Sequence, residues 1–191
     1  MSVVPIILAA GASPRLGFPK ALARCGGRTA IEIALENCSA LAAPVLVLGS
    51  DAEQVRAALP SGACIVVNQE WRAGQLSSLL AGLEQVPAAS DFMLYLVDYP
   101  LLTPAVMAQI VEGFEQRAPE QSIAAPIFRR RGGHPVIFAA QLRCELQRAG
   151  SARDVVYRDA ARVKYVPVGT DAIWRDLESI APGRTVAAEV S

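Results

Sequence analysis

The chain has 191 residues, 52% of them hydrophobic and 19% charged, which is long and apolar enough to bury a sizeable core without disulfide staples. Lys plus Arg and Asp plus Glu each number 18, so net charge gives no ground for a nucleic-acid or anionic-membrane partner, and the low charged fraction excludes a disordered chain. The start, Met1-Ser2-Val3-Val4-Pro5, lacks the basic region of a signal peptide, and its apolar run is too short to span a bilayer. Cys25, Cys38, Cys64 and Cys144 are scattered, with no C-x-x-C pair and no metal-ligand spacing. A reduced, cytoplasmic protein is the expectation, with Cys38 and Cys64 as core thiols.

The first element in the chain is an apolar strand over residues 3–8, followed by a small, glycine-rich, proline-broken segment that cannot continue it. Thr29-Ala30-Ile31-Glu32 is a capping box, and Ile31, Ala34, Leu35 and Cys38 repeat at helical spacing, so a helix runs to about residue 41. A strand over 44–48 follows, then a helix capped by Ser50-Asp51-Ala52-Glu53 that ends near Pro60, then a strand over 64–67. The helix over 74–83 sets Leu76, Leu79, Leu80 and Leu83 on one face. The strand over 92–97 is apolar on both faces, which places it centrally. Thr103-Pro104 opens a helix whose buried stripe is Val106, Ile110, Val111 and Phe114. Strands over 122–127, 135–138 and 163–168 complete the pattern, with a helix capped by Ser151-Ala152-Arg153-Asp154 reaching about residue 161.

This alternation specifies an α/β fold, a three-layer sandwich around a mostly parallel sheet, as a single domain over residues 1–191. Open sheets of this kind bind ligands outside the carboxyl ends of their strands. The loop after the first strand, Asn68-Gln69 after the third and Asp98 after the fourth are therefore expected to converge.

The first loop reads Leu8-Ala9-Ala10-Gly11-Ala12-Ser13-Pro14-Arg15-Leu16-Gly17-Phe18-Pro19-Lys20. Its small residues let backbone N–H groups approach a ligand closely, and Arg15 and Lys20 add cations suited to a polyphosphate. It is not a P-loop, because Phe18 and Pro19 separate Gly17 from Lys20, and it is not the G-x-G-x-x-G of a dinucleotide fold. Asp98 closes a buried apolar run, where a carboxylate is costly unless paired; Mg²⁺ would satisfy it, as would a turn before Pro100. Asn68 offers an amide to a base edge, and residues 74–78 offer free N–H groups and the Ser77 hydroxyl, although a polar loop and a normally capped helix read the same way. His134 is the only histidine, which excludes a His-rich zinc site; it lies in Gly132-Gly133-His134-Pro135, either as a contact residue or bonded within a turn. Arg129-Arg130-Arg131 reads as a solvated turn.

The pattern L-A-A-G-x-S-x-R-x-G-x-x-K resembles the signature loop of the MobA-like nucleotidyltransferases, and Leu8-Ala9-Ala10-Gly11 resembles the cytidylyltransferase branch more than the L-A-G-G of guanylyltransferases. Three further segments are similar to that family: Asp98-Tyr99-Pro100, the Asn68–Ser78 segment with Trp71 and Gly74, and Gly133-His134-Pro135 with Gly150 to Arg153. The resemblance spans about residues 3–155. It implies a Rossmann-like, GT-A-like nucleotidyltransferase fold and transfer of CMP from CTP, or of another nucleotide from its NTP, to a phosphorylated acceptor of the molybdopterin type, with release of pyrophosphate. It also implies Mg²⁺ as cofactor and a molybdoenzyme as a partner for the product. Carried over residue by residue, Arg15 meets the β,γ-phosphates, Lys20 the transferring phosphoryl group, and Asp98 the metal. Leu8, Ala9, Ala10, Gly11, Ala12 and Ser13, with Asn68 and Ser77, hold the nucleotide; Gly133, His134 and Arg153 hold the acceptor. The family's acidic D-x-D-T-P-E-D-L segment is degraded here, only Asp176-Leu177 aligning, which leaves the second metal ligand unassigned. A sugar-phosphate nucleotidylyltransferase of related fold and a non-catalytic nucleotide-binding accessory protein are the alternatives; the missing G-x-G-x-x-G disfavours a Rossmann oxidoreductase.

Overall fold

A computed structural model describes residues 3–14 and 16–180. The main strands are β1 (Val4–Ala9), β2 (Val45–Leu48), β3 (Cys64–Val67), β4 (Phe92–Leu96), β5 (Ile123–Phe128), β6 (Arg131–Gly132), β7 (Val136–Phe138) and β8 (Val163–Pro167). They form one eight-stranded sheet in the order β8-β5-β7-β4-β1-β2-β3, with β6 paired to β5. Strands β3, β2, β1 and β4 run parallel, as do β5 and β8. Strand β7 lies between β4 and β5 and runs antiparallel to both. A strand's direction is not written in its alternation, so this reversal has no signature in the residue pattern.

Helices α1 (Ala30–Asn37), α2 (Ala52–Arg56), α3 (Gln75–Leu83), α4 (Pro104–Glu115), α5 (Arg143–Gln147), α6 (Ala152–Tyr157) and α7 (Leu177–Ile180) cover the faces. The Thr29 capping box is formed in full, Thr103 and Ser151 each accept from a backbone N–H of the first turn, and Pro104 opens α4. Alternation along the strands divides the core in two. Ile7, Leu46, Met93, Tyr95 and Ile137 face α1 and α4, where they meet Ile31, Ile110 and Phe114. Ile6, Val47, Phe92, Leu94 and Phe138 face α3, α5 and α6, where they meet Leu79, Leu83, Leu146 and Val155. Each such side chain contributes about 1.5–3 kcal/mol on burial. The fold is thus the three-layer α/β sandwich with a mostly parallel sheet.

Several local expectations need correction. Cys64 is exposed, because β3 is an edge strand with one neighbour; Cys25 is buried in its place, and burial pushes the Cys38 thiol up to about 12. Helix α1 stops at Asn37. Helix α2 spans Ala52–Arg56 and has no side-chain cap, since the Ser50 hydroxyl donates instead to Asp51 Oδ2 at 2.7 Å. Helix α6 ends at Tyr157, because Asp159 caps a separate turn by accepting from Ala161 N–H at 2.9 Å. On α4 the buried stripe takes Met107, while Val111 is only half-buried.

Two features set the carboxyl edge of the sheet. The buried Asn37 amide donates to Tyr95 Oη and to the Leu102 carbonyl, both at 3.0 Å, tying the segment after β4 to α1. Ser50 N–H donates to the Ala10 carbonyl at 3.1 Å, and a Cβ on Gly49 would collide with that same carbonyl. Gly49 therefore fixes how deep the first loop sits.

Candidate active site

The carboxyl ends of β1 and β4 open into a cavity of about 430 Å³. Leu8, Ala9, Ala10, Gly11 and Ala12 line one side of it, and Lys20 and Asp98 face it. Ser13 lies beside it, buried, where its hydroxyl accepts from the Lys20 backbone N–H at 3.1 Å and so closes the loop on itself. Arg15 lies outside the described residues.

Lys20 is the centre of the charge arrangement. Its Nζ donates to Glu178 Oε1 at 2.8 Å and sits 3.4 Å from Asp98 Oδ2. Burial works against the Lys20 charge, but the Glu178 hydrogen bond and the Asp98 charge outweigh it and hold the ammonium pKa above its ordinary value. Burial raises the Asp98 carboxyl, the Lys20 charge opposes this, and the Asp176 charge adds to it. Leu177 N–H donates to the Asp98 carbonyl at 2.8 Å, which brings the segment carrying Asp176 and Glu178 to this edge. Glu178 was missed at the sequence level, since nothing local marks a residue 158 positions from its partner.

The segment after β3 contributes differently from its reading in the sequence. The Asn68 amide donates to the Ser77 and Ser78 hydroxyls, both at 3.0 Å, and its oxygen accepts from Glu70 N–H at 2.9 Å. Asn68 and Ser77 are not among the residues lining the cavity; they bond to each other and to the Glu70 and Gly74 backbone beside it. The residues that face the cavity are Trp71, Arg72, Gly74, Gln75 and Ser78. The Arg72 guanidinium lies 4.3 Å over the Trp71 ring.

A second cavity of about 700 Å³ adjoins the first, and it takes Gly133, His134 and Arg153 together with Tyr99, Arg130, Arg131, Tyr157, Trp174 and Asp176. Gly133 N–H donates to the Pro126 carbonyl at 3.1 Å and His134 N–H to the Ile173 carbonyl at 2.7 Å; a Cβ on Gly133 would strike that second carbonyl. The His134 ring packs 5.3 Å from Tyr99, and its Nδ1 is shielded from water with no hydrogen-bond partner among the described residues. Burial pushes its pKa down to about 4, so the ring is neutral near pH 7. Arg131 stacks 4.8 Å over Trp174 and Arg153 5.2 Å over Tyr157. Arg129 and Arg130 form the two-residue turn between β5 and β6 with φ of 47° and 67°, a left-handed geometry that usually selects Asn-Gly and costs a residue with a Cβ about 1–2 kcal/mol.

A hard divalent cation fits this edge in one way. Among the described residues no group of three or more His, Cys, Asp or Glu side chains is placed to hold a metal alone. Asp98 offers one strand-end carboxylate facing a cavity wide enough for phosphates, and Mg²⁺ is commonly bound by one or two carboxylates plus substrate oxygens.

The mostly parallel α/β sheet with helices on both faces is the Rossmann-like fold that nucleotidyltransferases share. A Methanothermobacter nucleotidyl transferase has this fold at TM-score 0.72, with 20% identity over 88% of both chains. Residues 5–164 match the MobA-like NTP transferase domain, and the chain belongs to that family. The Rv0371c protein of Mycobacterium tuberculosis H37Rv superposes at TM-score 0.78, with 25% identity over 94% of each chain, and its manganese complex at 0.72 over 88% of this chain and 89% of the other. The nicotine blue oxidoreductase of Paenarthrobacter nicotinovorans is 37% identical over 74% of this chain and 72% of its own length.

Proposed function

We propose that this chain transfers CMP from CTP to the phosphate of a molybdopterin-type acceptor, with Mg²⁺ as the metal and pyrophosphate as the other product. The observation that carries the reading is the cavity in which the Leu8–Ala12 backbone faces Lys20 and Asp98, with their charges 3.4 Å apart. An oxygen of the acceptor phosphate forms a bond to the α-phosphorus, and the bond from that phosphorus to the bridging oxygen of pyrophosphate breaks. The acceptor phosphate has a second pKa of about 6, so it arrives largely ionised and needs no general base. Positioning and charge neutralisation carry the chemistry.

Lys20 stays protonated and meets the transferring phosphoryl group, turning from Glu178 toward it, while Arg15 meets the β,γ-phosphates. Asp98 would hold the Mg²⁺, which when bound neutralises phosphate charge. The backbone of Leu8 to Ser13 cradles the nucleotide, and the Ala10 methyl disfavours the larger purine; one methyl is worth only about 1–3 kcal/mol of discrimination. In the adjoining cavity Arg131 and Arg153 attract the acceptor's charge, and neutral His134 offers a hydrogen bond rather than a cation.

Thermal unfolding with each of CTP, GTP, ATP and UTP, with and without Mg²⁺, tests the reading. A ligand at about 100 times its Kd adds about 2.7 kcal/mol of stability. Selective, Mg²⁺-dependent stabilisation by CTP is the expected result, followed by pyrophosphate release when molybdopterin is added. Stabilisation by GTP alone moves the assignment to guanylyl transfer, and no response to any nucleotide sinks it.

The 37% identical nicotine blue oxidoreductase favours a second reading, an oxidoreductase whose substrate occupies the Arg- and Tyr-lined cavity. Turnover of nicotine blue with an added reductant, without release of pyrophosphate, is its signature.

A further inference from the structure

Nucleotidyl transfer requires two anionic phosphates to meet, one from each cavity, and among the described residues a single side chain lines both cavities: Gln75. Elsewhere the lining divides between chain neighbours, Asp98 belonging to the first cavity and Tyr99 to the second. Cations occupy each side, Lys20 and Arg72 in the first and Arg130, Arg131 and Arg153 in the second, and none of them is shared.

The backbone fixes Gln75 at this junction. Gly74 has φ 105° and ψ −175°, a conformation essentially reserved for glycine, and its N–H donates to the Trp71 carbonyl at 3.2 Å. That turn makes Gln75 the first residue of α3, whose Leu79 and Leu83 are anchored in the core. The Gln75 side chain is exposed and has no hydrogen-bond partner among the described residues, whereas the Asn68 amide nearby has its polar atoms engaged.

We infer that Gln75 is a catalytic residue of the proposed transfer, its amide N–H donating to a phosphate oxygen where nucleotide and acceptor meet. The inference rests on the nucleotidyl-transfer reading. An uncharged donor suits this point. It relieves repulsion as the two phosphates close, without the fixed charge that would hold substrate and product as strongly as the transition state.

The test compares wild type, Gln75→Ala and Gln75→Glu. Affinity for CTP is measured by calorimetry with Mg²⁺, and CMP transfer to molybdopterin by steady-state kinetics. Both variants should fold as wild type does; Gln75→Ala should keep CTP Kd within about twofold while kcat falls about 100-fold. Gln75→Glu, almost isosteric but without the N–H donors, should fall at least as far as Gln75→Ala. If wild type transfers CMP and Gln75→Ala stays within about threefold in kcat, or loses only CTP affinity, the Gln75 assignment is wrong and the transfer reading stands. If wild type binds CTP with Mg²⁺ and transfers nothing, the transfer reading fails and the assignment goes with it.

Discussion

The two cavities at the carboxyl edge of the sheet are built on opposite plans. The smaller sets the run of small residues of the first loop against a few charged side chains, Lys20, Asp98 and Arg72. The larger is made of side chains drawn from the β5–β6 turn, the start of β7, helix α6 and the segment before α7, with arginines stacked on aromatic rings. The first concentrates function and the second spreads it. On the proposed reading, a loop of small residues suits what every nucleoside triphosphate shares, and a side-chain pocket is free to vary with the acceptor.

The comparison breaks most sharply at Lys20. Lys20→Ala should lower turnover about 10³-fold or more while leaving the fold intact. Near-normal kcat in that variant would show that charge is not concentrated in the smaller cavity. In the larger cavity redundancy should soften the loss. Arg131→Ala leaves Arg130 and Arg153 in place, so the acceptor KM should rise about tenfold while CTP Kd stays put. A loss as large as that of Lys20→Ala would mean that the arginines do not share the work.

A third test lies at His134 and reads stability instead of kinetics. Folded His134 titrates at about 4, whereas an unfolded histidine binds its proton near 6.5. Between those values the unfolded state holds more protons, so stability falls as pH drops through this window. Wild type should lose about 2 kcal/mol at pH 5 relative to pH 7 from this group, and His134→Gln should lack that component in denaturant unfolding at the two values. Equal acid sensitivity in both proteins would place the cause elsewhere.

Legibility followed the same division. The sheet, its layers and the first loop could be read because they depend on alternation, caps and a contiguous run of small residues. Asn68 and Ser77 have the chemistry of ligand contacts, but in the fold they satisfy each other, and a sequence does not say who a polar atom's partner is. Gln75 sits in the same segment and was passed over, although Gly74 before it marked the turn that delivers it. Glu178 was out of reach because it meets Lys20 only when both ends of the chain fold together. Cys64 was misplaced because the composition of β3 does not reveal that it is an edge.

The reversed strand β7 also orders events as the chain is made. Strands β1 to β4 pair among themselves within residues 4–96, so that half of the sheet can assemble early in synthesis. The outer side of β4, with Phe92, Met93 and Leu94, gains its neighbour only when Val136 to Phe138 arrive and the Phe92 and Phe138 rings stack at 5.6 Å. Until then the nascent chain carries an apolar open edge beside the first loop, and that edge exposes it to misassembly with a neighbouring copy.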